Sequence, residues 1–166
     1  MAENAISHSE LLKLLHYSPE TGVFTWKIHV NSRARPGWVA GSLVGEGYWR
    51  IKVGNRSTLA HRLAWFYVNG TWPDRAIDHI DANKLNNQIS NLRLASVKQN
   101  SANRKIGKNN TSGFKGIQAR PNGRWRASYE SDGKWYSLGS YGSREEASDA
   151  YMASLKERHG EFARAA

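Results

Sequence analysis

The stretch of sequence that decides the fold runs from Ile77 to Asn100 and reads IDHIDANKLNNQISNLRLASVKQN. Its first apolar segment ends in an adjacent pair, Asp78 and His79, and an asparagine-rich loop follows. A second apolar segment, Leu92 to Ala95, precedes a serine that is placed to cap a helix carrying Asn100. The pattern predicts two short strands and a helix, a ββα unit, with polar side chains converging where the three elements meet.

The polar residues of this stretch have the chemistry that phosphodiester hydrolysis requires, namely a base for the attacking water and a cation that stabilises the developing charge. Asp78 is a hard oxygen ligand suited to Mg²⁺ or a similar ion, and Asn100 would add a carboxamide oxygen. Asn91 would accept a hydrogen bond from one imidazole nitrogen of His79 and leave the other nitrogen as the base. Residue chemistry alone leaves a second interpretation open, in which these residues only shape a turn.

The region from His61 to Asn103 resembles the HNH nuclease family, in the branch of phage and intron-encoded homing endonucleases. The matching residues are His61-Arg62-Leu63-Ala64-Trp65, Ile77-Asp78-His79-Ile80-Asp81, Asn86-Asn87, Ile89-Ser90-Asn91-Leu92-Arg93 and Gln99-Asn100 with Asn103. By this resemblance, His79 corresponds to the general base and Asn91 to the residue that orients it. Asp78 and Asn100 correspond to ligands of one divalent metal ion, with Mg²⁺ preferred and Mn²⁺ as the alternative. Many members carry histidine in place of Asn100, and the asparagine resembles the single-metal nicking enzymes of this branch.

Four further polar residues of this region are predicted to have other roles. His61 opens an apolar helix, a position that fits packing, contact with phosphate or a catalytic role, and it is left out of the predicted catalytic set. Asp81, Asn86 and Asn87 follow His79 and are expected to shape the loop, because asparagine and aspartate stabilise turns through their own side chains.

The charge of the chain favours a polyanionic partner. The formal net charge is +10 and the sequence pI is near 10.0. No Asp or Glu occurs between Ala82 and Tyr129. The cations in that interval are Lys84, Arg93, Lys98, Arg104, Lys105, Lys108, Lys115, Arg120, Arg124 and Arg126. Such clustering predicts binding to double-stranded DNA.

The composition also excludes several classes of protein. The chain has no cysteine, which excludes disulfides, cysteine-ligated zinc and thiol catalysis. It has no apolar run of about 18 residues that could span a membrane. Residues 1–9 lack the basic and apolar regions of a signal peptide. We therefore expect an intracellular, cytoplasmic protein, a monomer or weak dimer, that uses neither a membrane nor a small-molecule cofactor.

The rest of the chain predicts an α+β fold in two domains. The first domain adds helix 9–16, strands 23–26, 47–53 and 56–60, and helix 61–68 to the ββα unit. The second has strands 114–120, 124–131 and 134–141, then a helix to about residue 159 with a capping box formed by Ser143 and Glu146. The predicted domains are residues 1–106 and 113–166, joined by a basic linker at 107–112.

The second domain resembles the plant APETALA-two (ethylene-response-factor) DNA-binding family. The matching segments are SGFKGI (112–117), GRWRA (123–127), GKWYSLGSY (133–141), REEASDAY (144–151) and GEF (160–162). The resemblance implies a three-stranded antiparallel sheet packed on one helix, with the open face of the sheet in the major groove. Gln118, Asn122 and Ser137 replace residues that usually contact DNA in plant members, so the resemblance implies the fold but not the target sequence.

Strand alternation predicts which residues of this domain face DNA. In the second strand Trp125, Ala127 and Tyr129 would pack on the helix, whereas Arg124, Arg126 and Ser128 would face outward. The predicted DNA contacts of the chain are Arg93, Arg104, Lys105, Lys108, Lys115, Arg120, Arg124, Arg126, Lys134 and Trp135.

Together these features predict a metal-dependent DNA endonuclease of the nicking or homing type, targeted by a sheet-type DNA-binding domain. A non-enzymatic, sequence-specific DNA-binding regulator is the alternative. The joint presence of Asp78, His79, Asn91 and Asn100 disfavours that alternative. A nonspecific toxin nuclease is disfavoured by the dedicated second domain.

Overall fold

The computed structural model describes residues 6–103, 106–107, 109–131 and 133–164, apart from the side chain of Glu46. The chain divides between Ser96 and Val97 into two compact units. The division comes earlier than the predicted linker, because helix α3 (Val97–Ala102) packs with elements of the second unit. The domain limits at 106 and 113 remain a prediction. No helix in the described residues is long and apolar enough to cross a bilayer.

The first unit combines short antiparallel strand pairs with two packed helices, which agrees with the predicted α+β class. Its elements are α1 (His8–Leu14), β1 (Leu15–Ser18), β2 (Val23–Trp26), β3 (Ser42–Val44), β4 (Tyr48–Val53), β5 (Arg56–Leu59), α2 (Ala60–Asn69), β6 (Ala76–His79) and β7 (Leu92–Ala95). Strands β1 and β2 form one hairpin, β3, β4 and β5 form a three-stranded sheet, and β6 pairs with β7.

The N-terminal helix differs from its prediction at both ends. It begins at His8 instead of residue 9, and its N-cap is Ser7, since the Ser7 hydroxyl accepts a hydrogen bond from the Glu10 backbone N–H at 3.2 Å. The helix ends at Leu14, and the next residues form β1 instead of a last helical turn. Cross-strand pairing with β2 and burial of alternate β1 side chains override the local helical pattern.

The core of the first unit positions β6. The largest fully buried side chains are Leu11, Leu15, Phe24, Ile51 and Leu63, which join α1, both hairpin strands, β4 and α2. Ile77 of β6 and Leu92 of β7 belong to the same core. This packing fixes the residues that follow Ile77, which are the predicted site residues.

The second unit is a three-stranded antiparallel sheet packed on one helix, as predicted. Its elements after α3 are β8 (Ile117–Ala119), β9 (Trp125–Ser131), β10 (Lys134–Tyr141) and α4 (Arg144–His159), with strand order β10-β9-β8. The predicted capping box of Ser143 and Glu146 is present at the start of α4. Ile117, Ala127 and Ala147 form the centre of its core, and Leu138 packs against them.

Candidate active site

The Asp78–His79 pair lies at the end of β6, where both side chains are buried. Neighbouring residues of a strand point to opposite faces, and the structure gives the two side chains different partners accordingly. Asp78 pairs across the hairpin with Arg93, whose Nε donates to Asp78 Oδ2 at 2.9 Å. His79 instead lies against His61 at the start of α2, with the ring centroids 5.0 Å apart and nearly perpendicular.

The aromatic ring of Tyr48 and the cationic amino group of Lys84 complete the surroundings of His79. The Tyr48 ring lies 5.5 Å from the His61 ring and 6.3 Å from the His79 ring. Lys84 Nζ lies 4.4 Å from the centroid of the Tyr48 ring, so a cation is held beside the two histidines. Tyr48, His61 and Lys84 were not in the predicted catalytic set.

Burial favours the neutral form of both histidines. It lowers the pKa of His79 below its ordinary value. Burial, with His79 and Arg62 nearby, lowers the pKa of His61 to about 3. A neutral imidazole at neutral pH can accept a proton, as a general base must.

Asn87 is the residue that the structure brings to the His79 imidazole. Its side chain is buried, and its Oδ1 lies 3.3 Å from His79 Nε2. Its Nδ2 donates to the Leu85 carbonyl at 3.2 Å. The sequence predicted only a loop-shaping role for Asn87, and no signal of residue type distinguishes it from the other asparagines of this loop.

Asn91, the predicted orienting residue, organises the loop instead. Its Nδ2 donates to Asp81 Oδ1 at 3.0 Å and to the Asn86 carbonyl at 2.8 Å, and its Oδ1 accepts from the Asp81 backbone N–H at 3.1 Å. Within the described part of the chain, the Asn91 side chain makes no hydrogen bond with His79. The expected direct hydrogen bond between Asn91 and His79 is therefore not formed, because the short 3-10 turn at Ile89–Asn91 directs the Asn91 amide toward Asp81.

The predicted metal ligands lie in different units of the chain. Asp78 belongs to β6, and Asn100 is an exposed residue of α3. Among the described residues, no three His, Cys, Asp or Glu side chains form a group that could hold a metal. One carboxylate and one carboxamide do fit Mg²⁺, which keeps several waters and needs only one or two protein oxygens. The metal site remains a prediction.

The structure sorts the predicted DNA contacts into several groups. Arg93 is paired with the buried Asp78, and its side chain is only 13% exposed. Arg104, Lys105 and Lys108 lie outside the described residues. Lys115 donates through Nζ to the carbonyls of Ala102 and Arg164, and burial lowers the pKa of Lys115 to about 8. These contacts make Lys115 a structural cation of the second unit.

The open face of the second sheet carries most of the remaining candidates. Arg126 and Trp135 line a surface depression with Gln118 and Ser128, and the Trp135 side chain is 63% exposed. Arg120 and Arg126 line a neighbouring depression. Arg124 and Lys134 are also exposed, and Arg124 donates to the carbonyl of Ser140 at 2.6 Å. DNA binding by these residues stays a prediction.

Comparison with known proteins identifies the class of the first unit. The family model described as HNH endonuclease matches residues 58–102, which include α2, both strands of the β6–β7 hairpin and the site residues. The chain belongs to the HNH endonuclease family.

Two viral relatives extend this similarity. Protein 3.8 of Escherichia phage T7 is 41% identical over 106 residues, or 63% of this chain and 87% of that protein. The Uncharacterized HNH endonuclease L560 of Acanthamoeba polyphaga mimivirus is 37% identical over 105 residues, or 62% of this chain and 54% of that protein. No solved structure matches the chain. The family model ends at residue 102, and the APETALA-two resemblance of the second unit gains no support from these comparisons.

Proposed function

We propose that this protein is a metal-dependent DNA endonuclease in which His79 is the general base. The observation that supports this proposal is the position of His79 at the end of β6, inside the region matched by the HNH endonuclease family. Its imidazole is buried and has a lowered pKa. Such an imidazole is neutral at the pH of a cell and can take the proton of an attacking water. The family match and the mimivirus relative that is named an HNH endonuclease support action on DNA, and the phage source of Protein 3.8 supports a location inside a host cell.

The other residues of the site have complementary roles in this proposal. Asp78 and Asn100 would hold one divalent ion, Mg²⁺ by preference, and the bound ion would supply positive charge for the phosphate and the leaving oxygen. Arg93 fixes the orientation of the Asp78 carboxylate through the 2.9 Å hydrogen bond. Lys84, held over the Tyr48 ring, would attract the DNA backbone to the site.

The second unit would deliver the nuclease to DNA through the open face of its sheet. Arg120, Arg126 and the exposed Trp135 lie on that face and offer two cations and an aromatic ring to the duplex. Linking two weak DNA-binding units raises the effective concentration of each at the other's site. With one active site per chain, a monomer would nick one strand.

The proposal is tested with supercoiled plasmid, Mg²⁺ and the full chain. Conversion to the open circle is expected for the wild-type protein, and EDTA or His79→Ala should abolish it. His16→Ala, which changes an exposed histidine of β1, is the matched control and should nick like the wild type. Nicking that survives both EDTA and His79→Ala would refute the assigned site.

The competing function is a DNA-binding regulator without catalysis, for which the exposed cationic face of the second sheet is the favouring observation. Electrophoretic mobility shifts on the same plasmid fragments separate the two functions. Intact binding with no nicking under any metal condition would establish the regulator. Weaker binding by Arg126→Ala and Trp135→Ala is expected under both functions, since both use this face.

A further inference from the structure

The side chain of Asn87 joins the imidazole of His79 to the loop that follows β6. We propose that Asn87 is a positioning residue that fixes the tautomer and the ring orientation of His79, an inference that rests on the proposed role of His79 as the base. The position of this side chain was not predicted, and the matched family residues had suggested Asn91 for the task. The contacts of the Asn87 amide define which group donates and which accepts in its hydrogen bond with His79.

The two ends of the Asn87 amide can be told apart by their partners. The Leu85 carbonyl can only accept a hydrogen bond, so the group 3.2 Å from it must be the Asn87 NH₂ group. The opposite end of the amide, which faces His79 Nε2 at 3.3 Å, is then the carbonyl oxygen. A carbonyl oxygen only accepts, and therefore the proton of the neutral imidazole resides on Nε2.

This assignment decides which nitrogen would act as the base. With the proton on Nε2, the lone pair of the neutral ring is on Nδ1, and proton abstraction from water would occur there. When Nδ1 takes a proton, the Asn87 oxygen still accepts from Nε2 and stabilises the charged ring. Asn87 thus acts on the reaction through His79, without touching the reacting atoms.

The backbone of Asn87 is anchored by the β1–β2 hairpin. The Tyr17 hydroxyl donates to the Asn87 carbonyl at 2.7 Å, and burial raises the pKa of Tyr17 to about 12, so this donor stays protonated. Gly22 at the hairpin turn approaches so closely that a Cβ there would clash with the Asn87 carbonyl carbon. The hairpin therefore fixes the backbone of Asn87. This fixed backbone keeps the Asn87 side-chain amide in contact with His79.

The tautomer is measured directly by two-bond ¹H–¹⁵N correlation spectra of the full chain labelled with ¹⁵N-histidine. His79 is assigned by its absence from the spectrum of His79→Gln. In the wild-type protein at neutral pH, the pattern of a proton on Nε2 is expected. In Asn87→Ala, loss of the acceptor should give a mixture of tautomers, whereas Asn87→Asp keeps an oxygen at this position and should restore the Nε2 proton. A wild-type pattern with the proton on Nδ1, or an unchanged pattern in Asn87→Ala, overturns the inference.

Kinetics separate orientation of the imidazole from stiffening of the loop. Asn87→Ala should lower kcat for nicking by about 10- to 100-fold, as for other partners that orient a functional group, with KM changed little. Asn86→Ala is the matched control, because Asn86 bonds to Asp81 and to the Gln88 backbone in the same loop but not to His79 in the described contacts. Equal kcat losses in the two variants would mean that only loop integrity matters, which refutes positioning by Asn87.

Failure of the inference and failure of the proposed function give different results. A wild-type protein that never nicks DNA refutes the endonuclease, and the tautomer spectra of the same sample still decide where Asn87 places the proton. A wild-type protein that nicks DNA while Asn87→Ala keeps both its kcat and its tautomer refutes the inference alone. If the spectrum of Asn87→Ala is no longer dispersed as in a folded protein, the position of the His79 ring proton in the wild type and in Asn87→Asp tests the inference instead.

Discussion

The buried His61 makes the first unit sensitive to acid. The folded protein holds the pKa of His61 at about 3, whereas an exposed histidine of an unfolded chain has a pKa near its ordinary value of 6.5. Unfolding between these values therefore takes up a proton, and the free energy of unfolding falls as the pH falls. The stability that His61 contributes is fully present above pH 6.5 and is lost progressively toward pH 3.

The expected size of this effect follows from the two pKa values. Between pH 7 and pH 5 the unfolded chain becomes protonated at His61 while the folded protein does not, which lowers the free energy of unfolding by about 2 kcal/mol. Burial also lowers the pKa of His79, so the wild-type protein should lose more than His61 alone accounts for. The acid sensitivity is thus a direct consequence of keeping both imidazoles neutral.

Urea denaturation at the two pH values, followed by tryptophan fluorescence, measures the effect. His61→Gln removes the titrating ring, so the stability difference between pH 7 and pH 5 should shrink by about 2 kcal/mol relative to the wild type. The comparison uses the change with pH within each variant, so any stability that the substitution itself costs cancels. His16→Gln, on the exposed side of β1, should retain the wild-type difference. The same pH dependence in His61→Gln and the wild type would refute the reasoning.

Two further predictions test the framework of the site by chemical denaturation. Asp78→Asn removes the carboxylate that pairs with the largely buried Arg93 and should destabilise the first unit by about 3 kcal/mol. Asp78→Asn combined with Arg93→Met should recover most of that loss, and a double variant as unstable as the single one would contradict this prediction. Gly22→Ala should cost more than Gly54→Ala, because both glycines have positive φ but only Gly22 contacts Asn87. Equal costs would mean that the close contact with the loop is unimportant.

The polar pattern of the sequence indicated the region of the candidate site, which lies within the HNH family match, while tertiary packing determined the contacts of its side chains. The strand–loop–strand pattern predicted β6 and β7 closely, because a short apolar run bounded by turn residues favours a strand over other secondary structure. Strand β1 was missed, since Leu15 to Ser18 has no strand pattern of its own and is stabilised by pairing with β2. Strand β8 is shorter than predicted and begins at Ile117.

The partners of His79 show why a sequence gives residue types more easily than contacts. Asn86, Asn87 and Asn91 are chemically identical, and their choice of partner depends on loop conformation. The 3-10 turn directs Asn91 to Asp81, and anchoring by the β1–β2 hairpin directs Asn87 to His79. No periodicity encodes such a difference, because it arises from backbone contacts between segments far apart in the chain.

The candidate active site therefore depends on more of the chain than the region matched by the HNH family. The match begins at residue 58, whereas Tyr48, Tyr17 and Gly22, which surround His79 or support Asn87, all precede it. A buried imidazole keeps its orientation only when its hydrogen-bond partner is itself held, and the partner here is held by the N-terminal hairpin. The N-terminal strands are thus part of the structure that orients His79, the proposed base, and variation in that hairpin should alter nicking without changing any residue of the family motif.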